Sequence, residues 1–257
     1  MSDVLPTWRA WRVWQRNATT CRRIWVGNLL GHLADPLFYV AVVGFGLGSY
    51  MPPIDGVPYI SFVVAGVVAG SAMPAACFET SYGSFLRMRV QGTFDAILAT
   101  PVSASDLAAG EVLWAATKGV VSGAATMVIG LAFGLFEPGV WLVWALGVVL
   151  LQGCFFGGIS LTVASRVRAL DTLNHFYALF IMSVFFLSGV FFPLDVMPDS
   201  LRAEAQLNPL THAVHLIRPL SVGQAPPGWP LEILWLAIAA ALGMALGVAN
   251  LRRRMVI

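Results

Sequence analysis

PYISFVVAGVVAGSAMPAACFE, residues 58–79, carries no charged side chain until it reaches Glu79. As a helix rising 1.5 Å per residue, that uncharged run spans about 32 Å, close to the roughly 30 Å hydrocarbon core of a bilayer. It therefore reads as a membrane span. Five further apolar runs, 30–50, 112–136, 140–163, 175–192 and 231–250, are bounded by polar or Pro/Gly clusters. Together they predict an all-α polytopic membrane protein with six transmembrane helices in a single domain covering 1–257. Composition agrees: of 257 residues 58% are apolar and 11% charged, against about 25% charged in an average soluble domain. A mean hydropathy of +0.78 excludes a disordered chain.

Charge placement supplies the orientation. Arg9, Arg12, Arg16, Arg22 and Arg23 precede the first span, Arg87 and Arg89 lie in the second connection, Arg166 and Arg168 in the fourth, and Arg252, Arg253 and Arg254 at the end. Those are 12 of the 15 basic residues, all on one side; the first and third connections have none and the fifth only Arg202 and Arg218. The positive-inside rule then puts both termini in the cytoplasm of a multi-pass protein of the cell inner membrane. No cleavable signal peptide is expected, because the first apolar run follows five arginines and is long enough to stay as an anchor.

Residues 7–25 are too polar to cross the membrane yet are patterned. At 100° per residue Trp8, Trp11, Trp14, Ala18, Cys21 and Trp25 share one arc, and Arg9, Arg12, Arg16 and Arg23 the opposite one. That pattern predicts an interfacial helix lying in the cytoplasmic headgroup plane.

Several chemistries are excluded by their missing parts. The chain's sole lysine is Lys118, preceded by Ala116-Thr117, so there is no phosphate-binding P-loop. An intramembrane serine protease would need a Gly two residues before its Ser and a His on the last helix; Phe186-Leu187 precede Ser188-Gly189, and 231–250 has no His. HExxH is absent, and Cys21, Cys77 and Cys154 show neither disulfide nor zinc spacing. The chain is thus read as a non-enzyme with no bound cofactor or metal, and nothing in it calls for nucleic acid.

Polar residues within spans are candidates for function because burial in lipid is costly. His32 and Asp35, three apart, form a local pair or meet a substrate. Lys118 precedes a long apolar run and is read as reaching the inner headgroups. Gln152, mid-span, either joins helices or lines a pathway; Glu79, beside Thr80, Ser81 and Tyr82, either faces a cytoplasmic vestibule or is an interfacial carboxylate. Glu79, Tyr82 and Gln152 are the candidate pathway residues. Six G-x-x-x-G spacings argue for close helix packing and weakly for a dimer.

Two connections stand out. In the second, residues 92–101 form a short amphipathic helix stopped at Thr100-Pro101, with Phe94, Ile97 and Leu98 on a stripe suited to a groove on a soluble partner, or else an inert interfacial helix. The fifth, 193–230, is half apolar and holds a polar helical stretch Asp199 to Leu207 and an amphipathic one Thr211 to Leu220. Helices re-entering the membrane from outside would explain it, and an outer lid or gate is the functional reading.

With these features, the words Tyr82-Gly83-Ser84-Phe85, Thr93 through Ser103, Ala109 through Thr117, Ser188-Gly189-Val190-Phe191-Phe192-Pro193-Leu194, and Asn208-Pro209-Leu210-Thr211-His212-Ala213-Val214 with Arg218 resemble the permease subunits of type-2 ATP-binding cassette (ABC) exporters. Within them the second-connection run resembles the nodulation-factor branch most. The resemblance implies an N-terminal interfacial helix before six membrane helices, a coupling helix carrying Thr93, Phe94, Asp95, Ile97, Leu98, Thr100 and Pro101, and an outer gate including Phe192, Pro193, Asn208, Pro209 and His212. It also implies two copies of this chain with two copies of a separate ATP-binding cassette ATPase that holds ATP and Mg. The implied cargo is an amphiphilic glycolipid or lipo-oligosaccharide moved by alternating access. A drug or antibiotic efflux permease, and a membrane scaffold that moves nothing, are the competing readings.

Overall fold

The computed structural model describes residues 5–23, 25–54 and 56–255. The side chains of Trp25 and Asp35, read above as part of the tryptophan arc and as a partner for His32, lie outside the described residues. The described chain is built of helices.

Helix α1 (Ala10–Arg23) precedes α2 (Trp25–Phe38), which continues as a π-helical stretch to Gly46. A single helical rod runs from Tyr59 to Arg89, made of α3 (Tyr59–Phe78), a π turn at Glu79–Gly83, and α4 (Ser84–Arg89). After the short α5 (Thr93–Leu98) come α6 (Ala104–Ala132) and α7 (Trp141–Arg166). Next, α8 (Leu170–Phe176), a π turn and α9 (Met182–Phe186) form one segment. Helices α10 (Asp199–Leu207) and α11 (Pro209–Ser221) fill the long fifth connection, and α12 (Trp229–Met255) ends the described chain.

Four of these rods, Tyr59–Arg89, Ala104–Ala132, Trp141–Arg166 and Trp229–Met255, are each long and apolar enough to cross a bilayer. Leu30–Gly46 and Leu170–Phe186 are shorter apolar helical segments. The chain is an all-α polytopic membrane protein. Helix α6 begins eight residues before the apolar run at 112 because Ser103 caps it: the Ser103 hydroxyl takes the Asp106 N–H at 3.1 Å, and Asp106 takes the Ser103 N–H at 3.2 Å.

Helix α3 is the core. Val63, Val64, Val67, Val68, Ala69, Ala72 and Met73 are all fully buried, with α6, α7 and α11 around them. Close approach is made by glycine. A Cβ on Gly119 would lie 3.1 Å from the Ala72 carbonyl oxygen, and one on Gly123 3.2 Å from that of Val68. Gly66 and Gly70 meet Val190 and Phe185, while Gly153 and Gly157 meet Ala116 and Ala115. These glycine pairs are therefore consumed by packing within one chain, and the support they lent to a dimer falls away.

Helix α1 carries a third stripe that the two-arc reading overlooks. Ala10, Val13 and Asn17, at i, i+3 and i+7, are buried against α6, and a Cβ on Gly110 would lie 2.5 Å from Val13. Trp8 and Trp11 remain exposed on one side of that stripe and Arg9 and Arg12 on the other. Trp14 turns inward enough to donate its indole N–H to Thr117 at 2.9 Å.

Candidate functional site

The densest polar structure lies on the arginine-rich side, where Glu111 of α6 is completely buried. Its Oε1 accepts the Asn17 amide at 2.8 Å, and its Oε2 accepts the Ser84 hydroxyl at 2.8 Å and the Arg87 guanidinium at 2.6 and 3.1 Å. Arg87 also donates to Glu79 at 2.8 Å. One guanidinium thus bridges two carboxylates, and one carboxylate joins α1, α4 and α6. The π turn at Glu79–Gly83 sets the register that lets Glu79 and Arg87 meet; such turns are often found at functional positions. Arg16 is the fourth charge: burial pushes its guanidinium down, the field of Glu111 pulls it back up, and Arg87 pushes it down again. Two carboxylates and two guanidiniums leave the node neutral.

Immediately below this node sits α5. Gly92 precedes it in the left-handed region at φ +61°, where a side chain would be strained. The stripe Phe94, Ile97 and Leu98 corrects the sequence reading of its direction. Phe94 is fully buried among Val13, Leu107 and Val112, with half-buried Ile97 and Leu98 packed onto the same cluster. The stripe is an anchor into this chain, because the apolar floor made by α1 and α6 lies nearer than any soluble partner. What α5 presents outward is Asp95 and Ala96, continued by Ala99, Thr100 and Pro101, with Thr93 half-buried at its start. The N-terminal segment clasps the far end: Arg9 donates to the Pro101 carbonyl, and the Thr7 hydroxyl donates to Asp106 at 2.8 Å.

Of the three pathway candidates, Glu79 is a member of the node and lines a cavity between α2, α3 and α6. Tyr82 is on the same turn, bonded through its hydroxyl to Asn174 and stacked on Phe78 at 4.8 Å. Gln152 is fully buried and donates to the Ala69 carbonyl at 2.8 Å, joining α7 to α3, while its side-chain oxygen has no hydrogen-bond partner among the described residues. An amide inside the bundle finds a backbone oxygen more readily than a pathway.

On the opposite side, Asn208 caps α11, accepting the Leu210 N–H at 2.9 Å and donating to the Val184 carbonyl at 2.8 Å. Pro209 takes the first helical position, where its missing N–H costs nothing. His212 bonds to Glu232 and to the Gln206 carbonyl and stacks on Trp235 at 4.4 Å. Phe192 is exposed and Pro193 lines a cavity of about 620 Å³ with Asp195, Arg202, Gln206, Arg218 and Glu232. Beneath it α11 is wedged into the core by Leu210, Val214, Leu216 and Ile217.

Arg218 holds this region together. Its guanidinium donates to the carbonyls of Gly189, Val190 (3.0 Å) and Phe62 (3.4 Å), and lies 3.5 Å over the Phe62 ring. A planar fork over an aromatic face is geometry that lysine cannot reproduce. Arg218→Lys and Arg218→Leu are therefore both expected to loosen residues 188–194, by about 2–3 kcal/mol for the lost charge-assisted bonds. Proteolysis of purified protein reads this as earlier cleavage there; unchanged cleavage in both variants would count against the clamp.

Sequence reasoning missed the node. Glu111 was the residue before a span and Arg87 a charge to be counted, and the signal available was the Glu79, Gly83, Arg87 spacing on one helical face. Lys118 is 7% exposed, with its Nζ 5.7 Å from the Trp114 ring.

Comparison with known proteins adds the following. Residues 9–220 match the family described as ABC-2 type transporter. The chain is 38% identical over 248 residues to Nodulation protein J of Rhizobium meliloti (strain 1021), covering 96% of this chain and 94% of that protein. It is 35% identical over 254 residues to Nodulation protein J of Sinorhizobium fredii (strain NBRC 101917 / NGR234), covering 98% and 97%. It is 24% identical over 202 residues to the inner membrane transport permease YadH of Escherichia coli (strain K12), covering 79% and 78%.

Proposed function

The chain belongs to the ABC-2 type transporter family, and from that premise we propose that it is the membrane-spanning permease of an ATP-driven exporter, coupled through residues 92–101 to a separate ATPase. The observation that carries this reading is the seating of α5: Phe94 pins it under the Glu79–Arg87–Glu111 node while Asp95, Ala96 and Thr100 face away from the bundle. A force on that outer face would reach α1, α4 and α6 through buried contacts. ATP binding closes two ATPase subunits against two copies of the permease, and the paired bundles shift between inward and outward access.

In this proposal six segments cross the inner membrane, with Leu30–Gly46 and Leu170–Phe186 as the short crossings, and both termini are cytoplasmic. Phe192, Pro193, Asn208, Pro209 and His212 belong to the outer gate. The cargo is an amphiphile of the lipo-oligosaccharide kind, for which the support is the nodulation name of relatives up to 38% identical. Mass spectrometry of compounds retained by the purified complex tests it; a small drug-like molecule in place of an acylated saccharide would overturn the cargo.

Coupling is tested in vesicles holding the permease and its ATPase. Ala96→Trp alters only the outward face, and is expected to lower membrane-coupled ATP hydrolysis about tenfold while leaving thermal stability unchanged. Phe94→Ala empties a buried site and is expected to cost about 3–5 kcal/mol of stability as well. Wild-type hydrolysis and export in Ala96→Trp would show that the coupling surface lies elsewhere.

A further inference from the structure

The cavity of about 620 Å³ beside α11 gathers residues far apart in sequence, among them Ser61 and Phe62 of α3, Asp195, Gln206 of α10, Gln224 and Glu232. Its walls are fixed before anything binds. Pro193, Pro219, Pro226 and Pro227 each lock a backbone angle along it. The connection from α11 to α12 is tied back twice, by the Gln224 N–H on the Pro219 carbonyl at 2.9 Å and by the Glu137 N–H on the Ser221 carbonyl at 3.0 Å. Gly223 turns the chain between those ties at φ +71°. At the end of α10 the Gln206 carbonyl is held by His212 at 2.8 Å.

The charges on the lining say what it does not take. Arg218 is committed to three backbone carbonyls and the Phe62 ring. Arg202 is committed to the carbonyls of Leu194 and Asp195, at 3.3 and 2.7 Å, and to Asp199. Glu232 holds His212. An anion would therefore meet the open carboxylate of Asp195 with no uncommitted guanidinium on the lining to offset it. An alkyl chain would strip solvent from five polar side chains and return nothing, because those of Ser61, Asp195, Gln206, His215 and Gln224 make no hydrogen bond among the described residues. A ligand rich in hydroxyls uses all five. Each hydroxyl donates once and accepts twice; Gln206 and Gln224 offer both roles, Asp195 accepts, and a neutral His215 has one ring nitrogen of each kind. These groups are also close together, since His215 lies within the fields of both Asp195 and Glu232.

We propose that this cavity binds a neutral saccharide, held through its hydroxyls by Asp195, Gln206, His215 and Gln224. The inference rests on the permease reading and deepens it, by naming the part of an acylated saccharide that this end of the bundle grips: the sugar, not the acyl chain. The cavity's size falls within the roughly 300–1,000 Å³ usual for small-ligand sites.

Binding is measured by isothermal titration of the permease–ATPase complex, in phosphatidylcholine nanodiscs, with neutral tetrasaccharides of glucose and of N-acetylglucosamine. At least one is expected to bind, and the double variant Gln206→Ala with Gln224→Ala to weaken it about tenfold. Gln206→Trp, at an exposed position on the rim, is expected to abolish binding without changing the melting temperature. Inorganic phosphate and spermidine, the anionic and cationic probes, are expected to give no heat. No heat from either tetrasaccharide, sugar binding that survives Gln206→Trp, or spermidine binding in place of sugar overturns the site. Export of an acylated tetrasaccharide in vesicles then finds the source of the sugar. Export slowed about tenfold by Gln206→Trp assigns the site to cargo, and unchanged export assigns it to a free saccharide on that face. Saccharide binding by a complex that moves no cargo loses the permease reading and keeps the site; export by a complex that binds no saccharide loses the site alone.

Discussion

Glu111→Ala is expected to destabilise the bundle by about 3–5 kcal/mol, the range for removing one partner of a buried ion pair. The size follows from what is left behind. Arg87 keeps Glu79 but loses its contacts of 2.6 and 3.1 Å, and the Asn17 amide and Ser84 hydroxyl lose their acceptor inside the protein. Three elements lose a shared anchor at once, since α1, α4 and α6 share no other carboxylate among the described residues. Glu111→Gln separates structure from coupling. Its amide fills the same space and its oxygen still accepts one donor, so the fold is expected to survive with a smaller loss, while ATP hydrolysis in the reconstituted complex becomes insensitive to the permease. Thermal melting in detergent and hydrolysis in vesicles are the two readings. A Glu111→Gln complex that melts early but remains coupled would make the node a structural fastener only.

The neutrality of the node bears on how force is passed. Arg87 sits between two carboxylates 32 residues apart in sequence, Glu79 and Glu111, on two different rods. A displacement of α5 drags α4 through the turn at Gly92, and Arg87 is on the last turn of α4. The Arg87–Glu111 pair resists separation of the rods, and Glu79, on the same rod as Arg87, holds the guanidinium in place for it.

How much of this was legible in the sequence depends on what each pattern reports. Hydropathy reports burial from water, so the rods at 58–79, 112–136, 140–163 and 231–250 were readable from apolar runs. The start of α6 is written in the Ser103-x-x-Asp106 capping pattern rather than in hydropathy, and the end of the rod from Tyr59 was not readable, because it continues through Glu79 and Arg87, both polar. Periodicity reports that a helix has a face, without saying what fills it. Phe94, Ile97 and Leu98 were correctly grouped, but the neighbours they meet include Val13, on a helix far away in sequence, as well as Leu107. Long-range pairing of single polar residues, such as Asn17 with Glu111, leaves no periodic trace at all.

Gly158→Ala is expected to have the other large effect, because one methyl group at that position has nowhere to go. Helices α7 and α12 cross with Gly158 against Gly243, and a Cβ on Gly158 would collide with the Gly243 carbonyl. The reverse is equally closed: a Cβ on Gly243 would lie 2.6 Å from the Phe155 Cα, and one on Gly247 3.1 Å from the Gly158 oxygen. Every obstacle is backbone, so no rotamer change relieves it and the helix axes must separate. Between membrane helices, where close van der Waals approach is the main attraction, that separation forfeits contact along the whole crossing. A loss of about 3 kcal/mol or more is expected, at the upper end for overpacking. The consequence should extend to the helix end, where Arg166 holds Asn250 at 2.6 and 3.0 Å. Gly147→Ala on the same helix is the control: a Cβ there meets nothing within 4 Å, and the exchange should be neutral or stabilising by about 0.5–1 kcal/mol. Melting curves should therefore fall for Gly158→Ala and hold or rise for Gly147→Ala, and a Gly158→Ala protein as stable as wild type would mean that α12 is held by its lipid-side neighbours rather than by this crossing.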